Sequence, residues 1–156
     1  MTLVNPNSGT LDSAECTCFR LRGLTRRVTQ LYDQMLAPSG LSVTQYSVIA
    51  HVRRRETSPP TVTELARDLF TDRTTLTRNL QPLLKEGLIE VAAGTDDRSK
   101  AILLTRRGEA AYRAARPLWK QAQRLLRERL GETRLAALHE LIGAVLVQFE
   151  ETGGEA

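Results

Sequence analysis

The stretch over residues 61–104, TVTELARDLFTDRTTLTRNLQPLLKEGLIEVAAGTDDRSKAILL, most constrains what this chain can build. Thr61 followed three residues on by Glu64 is a capping box, so a helix starts there. Leu65, Ala66 and Leu69 give that helix one apolar stripe, and Thr71-Asp72 interrupts it with a fresh N-cap. From Arg73 the spacing of Leu76, Leu80, Leu83 and Leu84 places a second stripe on a longer helix, which Gly87 ends as a C′ residue. The opposite face carries Arg73, Thr74, Thr75, Thr77 and Arg78, crowded into the first two turns. Two helices in this arrangement present the N-terminal side chains of the second to a DNA groove.

A hairpin follows. Leu88-Ile89-Glu90-Val91 and Ala101-Ile102-Leu103-Leu104 suit two antiparallel strands, and between them the polar turn 94–100 carries Arg98 and Lys100 near its tip. Helix, turn, helix and charged hairpin make a winged helix, whose hairpin can set a cation on phosphate or in the minor groove. The expected fold is mainly α with a small β-wing.

On either side of residues 61–104 the chain predicts further helices. Over 16–36, Leu21, Leu24, Val28, Leu31 and Met35 alternate three and four apart as a heptad-like seam, with Arg20, Arg22, Arg26 and Arg27 largely off it. Ser42 and Gln45 form a second capping box, opening a helix that ends on Arg53-Arg54-Arg55. These arginines either complement the helix macrodipole or touch phosphate. Thr105 caps a helix to about residue 130, in which Pro117 predicts a bend, and Gly131 precedes a last helix carrying Leu135, Leu138, Leu141, Ile142, Val145, Leu146 and Phe149. A small winged helix cannot cover so much apolar surface; a symmetric dimer can, and it sets two reading helices on one face of a duplex. The expected organisation is a single domain over 1–156, with dimerisation helices at 14–37 and 106–152 flanking the winged helix at 42–105.

The formal net charge of +4 is compatible with a polyanionic partner or with a mixed, solvated surface. No stretch has the length of a transmembrane helix and the N-terminus does not read as a secretion signal, so a cytoplasmic protein without membrane association is expected, its two cysteines reduced. Nothing calls for a cofactor. His51 and His139 have no ligand spacing with Cys16 and Cys18 that would suit a metal. With no phosphate-binding glycine loop, no HExxH and no nucleophile–histidine pattern, an enzyme is not expected.

Over nearly its whole length the sequence resembles the MarR family of bacterial transcriptional regulators. The residues that carry the resemblance are Arg73-Thr74-Thr75-Leu76-Thr77-Arg78, Leu84-Lys85-Glu86-Gly87-Leu88-Ile89, Asp97-Arg98-Ser99-Lys100 and Leu104-Thr105-Arg106-Arg107-Gly108. It implies a homodimer with intertwined terminal helices on a roughly palindromic double-stranded DNA operator, usually as a repressor. Arg98 matches the family's wing-tip arginine and Asp97 the residue that orients it. Pro82, inside the reading helix, departs from the pattern.

The first helix is similar to the organic-hydroperoxide-sensing branch, through Cys18-Phe19-Arg20-Leu21, Tyr32, Gly40-Leu41 and Gln45-Tyr46. There a first-helix cysteine is oxidised and tyrosines hydrogen-bond its thiolate. Cys18 falls on the sensing position and Tyr32 on one tyrosine, while Arg22 and Val43 stand where others are expected. Arg22, one turn from Cys18, favours a thiolate; the alternative is a Cys18 that simply packs in the dimer seam. Cys16, about 200° around a helix from Cys18, would resolve an oxidised thiol of the other subunit or be inert. A small aromatic or phenolic anion is the other candidate signal, in a pocket drawn from Tyr46, His51 and Trp119. A winged helix used only for protein contacts is the remaining alternative.

Overall fold

The structure is a computed structural model, and it describes residues 16–93 and 100–152. Among these residues the order is α1 (Thr17–Leu36), a short 3-10 turn (Ala37–Ser39), α2 (Val43–Arg54), α3 (Val62–Asp68), α4 (Arg73–Lys85), β1 (Ile89–Ala93), β2 (Lys100–Leu104), α5 (Arg106–Leu130) and α6 (Glu132–Thr152).

The helices start where the sequence supplies acceptors for unpaired N–H groups. Ser42 and Gln45 exchange both bonds of a capping box, as do Thr61 and Glu64. Asp72 accepts from the Thr75 N–H at 2.8 Å, and Thr105 from the Gly108 N–H at 3.0 Å. By contrast, α1 begins at Cys16 without a side-chain cap. Pro82 and Pro117 both lie inside their helices, which continue past them.

Two helix ends share one motif with different chemistry. After α4, the Gly87 N–H bonds the Leu84 carbonyl and the Leu88 N–H bonds that of Leu83, with Gly87 left-handed at φ 65°. After α3, Phe70 and Thr71 make the same pair of bonds to Arg67 and Ala66, and Phe70 takes the left-handed φ of 52°. The strained residue sits at the corner between α3 and α4, with its ring exposed.

The core forms where the α2, α3 and α4 stripes meet the wing and α5. Tyr46, Ile49 and Val52 of α2 pack with Leu65 and Ala66, with Leu76, Leu80 and Leu83, and with Ile89, Ile102 and Ala115. Each large side chain so buried contributes about 1.5–3 kcal/mol relative to exposure. The strands pair antiparallel, Ile89 opposite Leu104 and Val91 opposite Ile102. The Ile102 N–H also bonds the Pro60 carbonyl, which ties β2 to the entry of α3.

The seam expected along α1 divides in two. Its C-terminal half packs on α5, with Leu31 and Tyr32 against Ala122 and with Val28 and Met35 beside them. Its N-terminal half leaves Phe19, Leu21 and Leu24 exposed. On α6, Leu135 is buried, but Leu141, Ile142, Val145, Val147 and Phe149 face outward. These two bare faces are the large apolar surface that one chain does not cover. No helix among the described residues is long and apolar enough to cross a membrane.

Candidate nucleic-acid interface

Burial of Leu76, Leu80 and Leu83 fixes the rotation of α4 about its axis. The same rotation turns Arg73, Thr74, Thr77 and Arg78 outward, all exposed. Arg73 and Arg78 make no ion pair among the described residues, so their charge is available to an outside partner. Thr77 donates its hydroxyl to the Arg73 carbonyl at 2.7 Å and keeps an oxygen lone pair that can accept.

Thr75 differs from its expected place on this surface. It is half-buried, and both its N–H and its hydroxyl bond the Asp72 carboxylate, at 2.8 and 2.6 Å. Those bonds hold the Asp72 carboxyl below its usual pKa, the Thr75 hydroxyl contributing most. Thr75 therefore anchors the start of α4. Lys100 opens β2 and is exposed, while Asp97 and Arg98 lie outside the described residues.

The arginine run at the end of α2 is mostly spoken for. Arg53 donates through Nε to Glu109 of α5 at 2.8 Å, and Arg55 bonds Glu64 and Asp68 of α3 at 3.0 and 3.2 Å. Neither is free for phosphate in this arrangement; both brace helices. Arg54 is exposed and without an ion pair among the described residues.

The three residues expected to form a small-molecule pocket do come together. Tyr46, His51 and Trp119 line one cleft of about 470 Å³ between α2 and α5. The Tyr46 ring stacks on Tyr112 at 5.7 Å between centroids and on Trp119 at 5.8 Å. Burial, reinforced by the neighbouring Tyr112, pushes the Tyr46 hydroxyl up to about 12, so it stays neutral. His51 Nδ1 lies 2.8 Å from the Ser47 carbonyl, an oxygen that only accepts, so Nδ1 carries the proton and Nε2 is left for another partner. Arg53, Arg54, Arg116 and Lys120 rim the cleft, and among the described residues no carboxylate lines it. Sequence reasoning missed Tyr112, Arg116 and Lys120. Their signal was there: with Trp119 they stand four, seven and eight residues apart on α5, one helical face.

The thiol candidates are more scattered. Cys16 and Cys18 are both exposed and free. Cys18 and Arg22 line the same shallow surface with Leu21 and with Phe149 of α6. Tyr32, on the same helix, lies on the order of 20 Å farther along the axis at about 1.5 Å per residue. It is buried against Leu31 and Ala122, which raises its hydroxyl pKa. Within one chain Cys18 and Tyr32 do not meet. Cys16 caps α1 in an extended conformation, so the angular separation expected of two helical residues does not govern this pair. Among the described residues no group of three His, Cys, Asp or Glu side chains comes together as a metal site.

Residues 39–99 match the sequence profile of the MarR family. The transcriptional regulator MosR of M. tuberculosis, solved in complex with DNA, is 38% identical to this chain. That likeness covers 86% of this chain and 98% of MosR, with a TM-score of 0.74. The chain belongs to the MarR family. The resemblance read from α4, the wing and the start of α5 thus extends over most of the chain, which is a transcriptional regulator of that family. Its solved relatives are regulators, not enzymes. They include the repressor CouR, solved on a 23-mer DNA duplex, at 25% identity over 85% of this chain and 94% of CouR, with a TM-score of 0.75. The S. aureus MepR–DNA complex, at 19% identity over 86% of this chain and 96% of MepR, shares the fold with a TM-score of 0.73. No curated protein matches the chain by sequence.

Proposed function

We propose that this MarR-family chain is a homodimeric repressor that binds a pseudo-palindromic operator through α4 and the wing. The observation that carries the reading is the outward face of α4, where Arg73 and Arg78, without an ion pair among the described residues, stand beside Thr74 and Thr77, opposite a stripe of buried leucines. Arg73 and Arg78 are assigned to base edges and phosphates in the major groove, with the Thr77 hydroxyl as an acceptor and the Thr74 hydroxyl as donor or acceptor. Thr75 is assigned to orienting the helix through Asp72. Arg98, oriented by Asp97, and Lys100 are assigned to the backbone and minor groove beside it. The bare faces of α1 and α6 are assigned to the second copy of the chain, which sets the two α4 helices one duplex turn apart.

Titration of the chain into its own upstream promoter DNA at several salt concentrations tests this. Tight binding with a linear fall of log affinity against log salt is expected. Affinity no better than for unrelated DNA would overturn it.

The signal that releases DNA is read as an aromatic anion in the α2–α5 cleft. What favours this is the convergence of Tyr46, His51 and Trp119 under four cations. Trp119 is the sole tryptophan, so its fluorescence reports occupancy directly. The thiol reading, with Cys18 assisted by Arg22, and with Cys16 and Tyr32 acting from the partner chain, is the second one. Release by an organic peroxide that persists in Cys18→Ser removes it.

A further inference from the structure

Among the described residues, Arg53 alone lines both the aromatic cleft and the neighbouring groove under the wing, which runs between α2, β2 and the start of α5. Its guanidinium carbon stands 4.7 Å over the Tyr112 ring, and its Nε donates to Glu109 in the first turn of α5. Tyr112 stacks in turn on Tyr46, so the cation sits at the end of the aromatic row. Glu109 is shared: its other oxygen accepts from Arg113, one turn along α5.

We propose that Arg53 couples the cleft to the reading head: an anionic group in the cleft takes the Arg53 guanidinium from Glu109, and loss of that ion pair loosens the winged helix on α5. The inference rests on the reading of the cleft as the effector site. Exchange is easy because the pair is half-exposed and Arg113 remains to satisfy Glu109. The consequence follows from what flanks it. Two residues beyond Arg53, Arg55 holds α3 through Glu64 and Asp68. Four residues before Glu109, Thr105 donates to the Gly87 carbonyl at the end of α4. The Arg53–Glu109 pair thus bridges the part of α2 that grips α3 to the turn of α5 that grips α4 and the wing. With the bridge open the two reading heads of a dimer lose a fixed orientation, and that freedom must be given up again on binding DNA.

Glu109→Gln and Arg53→Gln test this without knowing the natural effector. Each should weaken binding to the upstream promoter DNA by about fivefold or more, the usual size of a coupling between sites. The double variant should be no weaker than either single one, because both open the same bridge. Arg113→Gln, which leaves Arg53 in place, should bind as the wild type does. Thermal midpoints should stay together across all four, whereas a purely structural role would lower them in step with affinity. With para-hydroxybenzoate as probe, Trp119 fluorescence should report tighter binding by Glu109→Gln than by the wild type, since Arg53 is already released. Unchanged operator affinity in both single variants, or additive losses in the double, would overturn the coupling. Probe binding that is the same in Glu109→Gln and wild type would overturn it as well, leaving the effector site itself standing. A wild type that binds no promoter DNA would sink the operator reading of the proposed function, and the coupling with it.

Discussion

Gly108 lies so close under the carbonyl oxygen of Leu88 that a β-carbon there would overlap it, with the Leu104 side chain crowding the same spot. The contact seats the first turn of α5 on the strand entry just past α4. The Thr105 N–H bonds the same Leu88 carbonyl, and the Thr105 hydroxyl reaches both Gly87 and Leu88. One turn of backbone thus joins the reading helix, the wing and the long helix. Gly108→Ala cannot be absorbed by a flexible side chain, because the obstacle is backbone. It should cost at least about 2 kcal/mol, in the range of an overpacked core, measured by urea unfolding.

Phe70 closes α3 with the bonds that Gly87 uses to close α4, but with a side chain in the left-handed region. Its exposed ring gives up little burial in exchange. Phe70→Asn, a residue that tolerates this conformation, should therefore stabilise the chain by about 1 kcal/mol. A lower thermal midpoint would show that the ring is packed in the assembled protein.

Thr75 and Arg78 should separate under mutation. Thr75→Val removes the hydroxyl bond to Asp72 but keeps the cap on the Thr75 N–H, and should cost about 1 kcal/mol of stability, the net worth of one hydrogen bond, with little change in which bases are preferred. Arg78→Ala should leave stability within about 0.5 kcal/mol, as for an exposed surface site, and weaken operator binding. Parallel unfolding and binding titrations on both variants check the division.

Glu64 makes acid sensitivity local. Its bonds from the Thr61 N–H and hydroxyl, then the Arg55 guanidinium, hold its carboxyl down to about 2 against an ordinary 4.5. A depressed acid stabilises the fold above its unfolded value, and that contribution is lost as pH falls from about 4.5 toward 2. Glu64→Gln should flatten the acid limb of a stability–pH curve across that window, and an unaltered limb would place the titration elsewhere.

The local grammar of the chain was legible in its residues. Ser42, Thr61, Asp72 and Thr105 each start a helix because each supplies an acceptor at the right offset, and the leucine spacing of α4 alone determines which side of it faces out. Contacts between distant segments were not legible. Arg53 reads as a macrodipole partner until α5 brings Glu109 beside it, fifty-six residues on. Thr75 reads as a groove contact, and the bond its hydroxyl makes to Asp72 is one that periodicity does not encode. Tyr112, Arg116 and Lys120 become a cleft wall only when α5 is laid against α2. Gly108 was visible as a family residue, but its reason is a close approach that no helical pattern encodes.

The most direct test of the account is the salt dependence of promoter binding by the wild type and by Arg78→Ala. Arg78 is assigned a phosphate or base contact on a surface with no internal ion partner among the described residues. The variant should bind more weakly, with a slope of log affinity against log salt reduced by about one. Identical slope and affinity in the two proteins would contradict the assignment of the outward face of α4 to DNA.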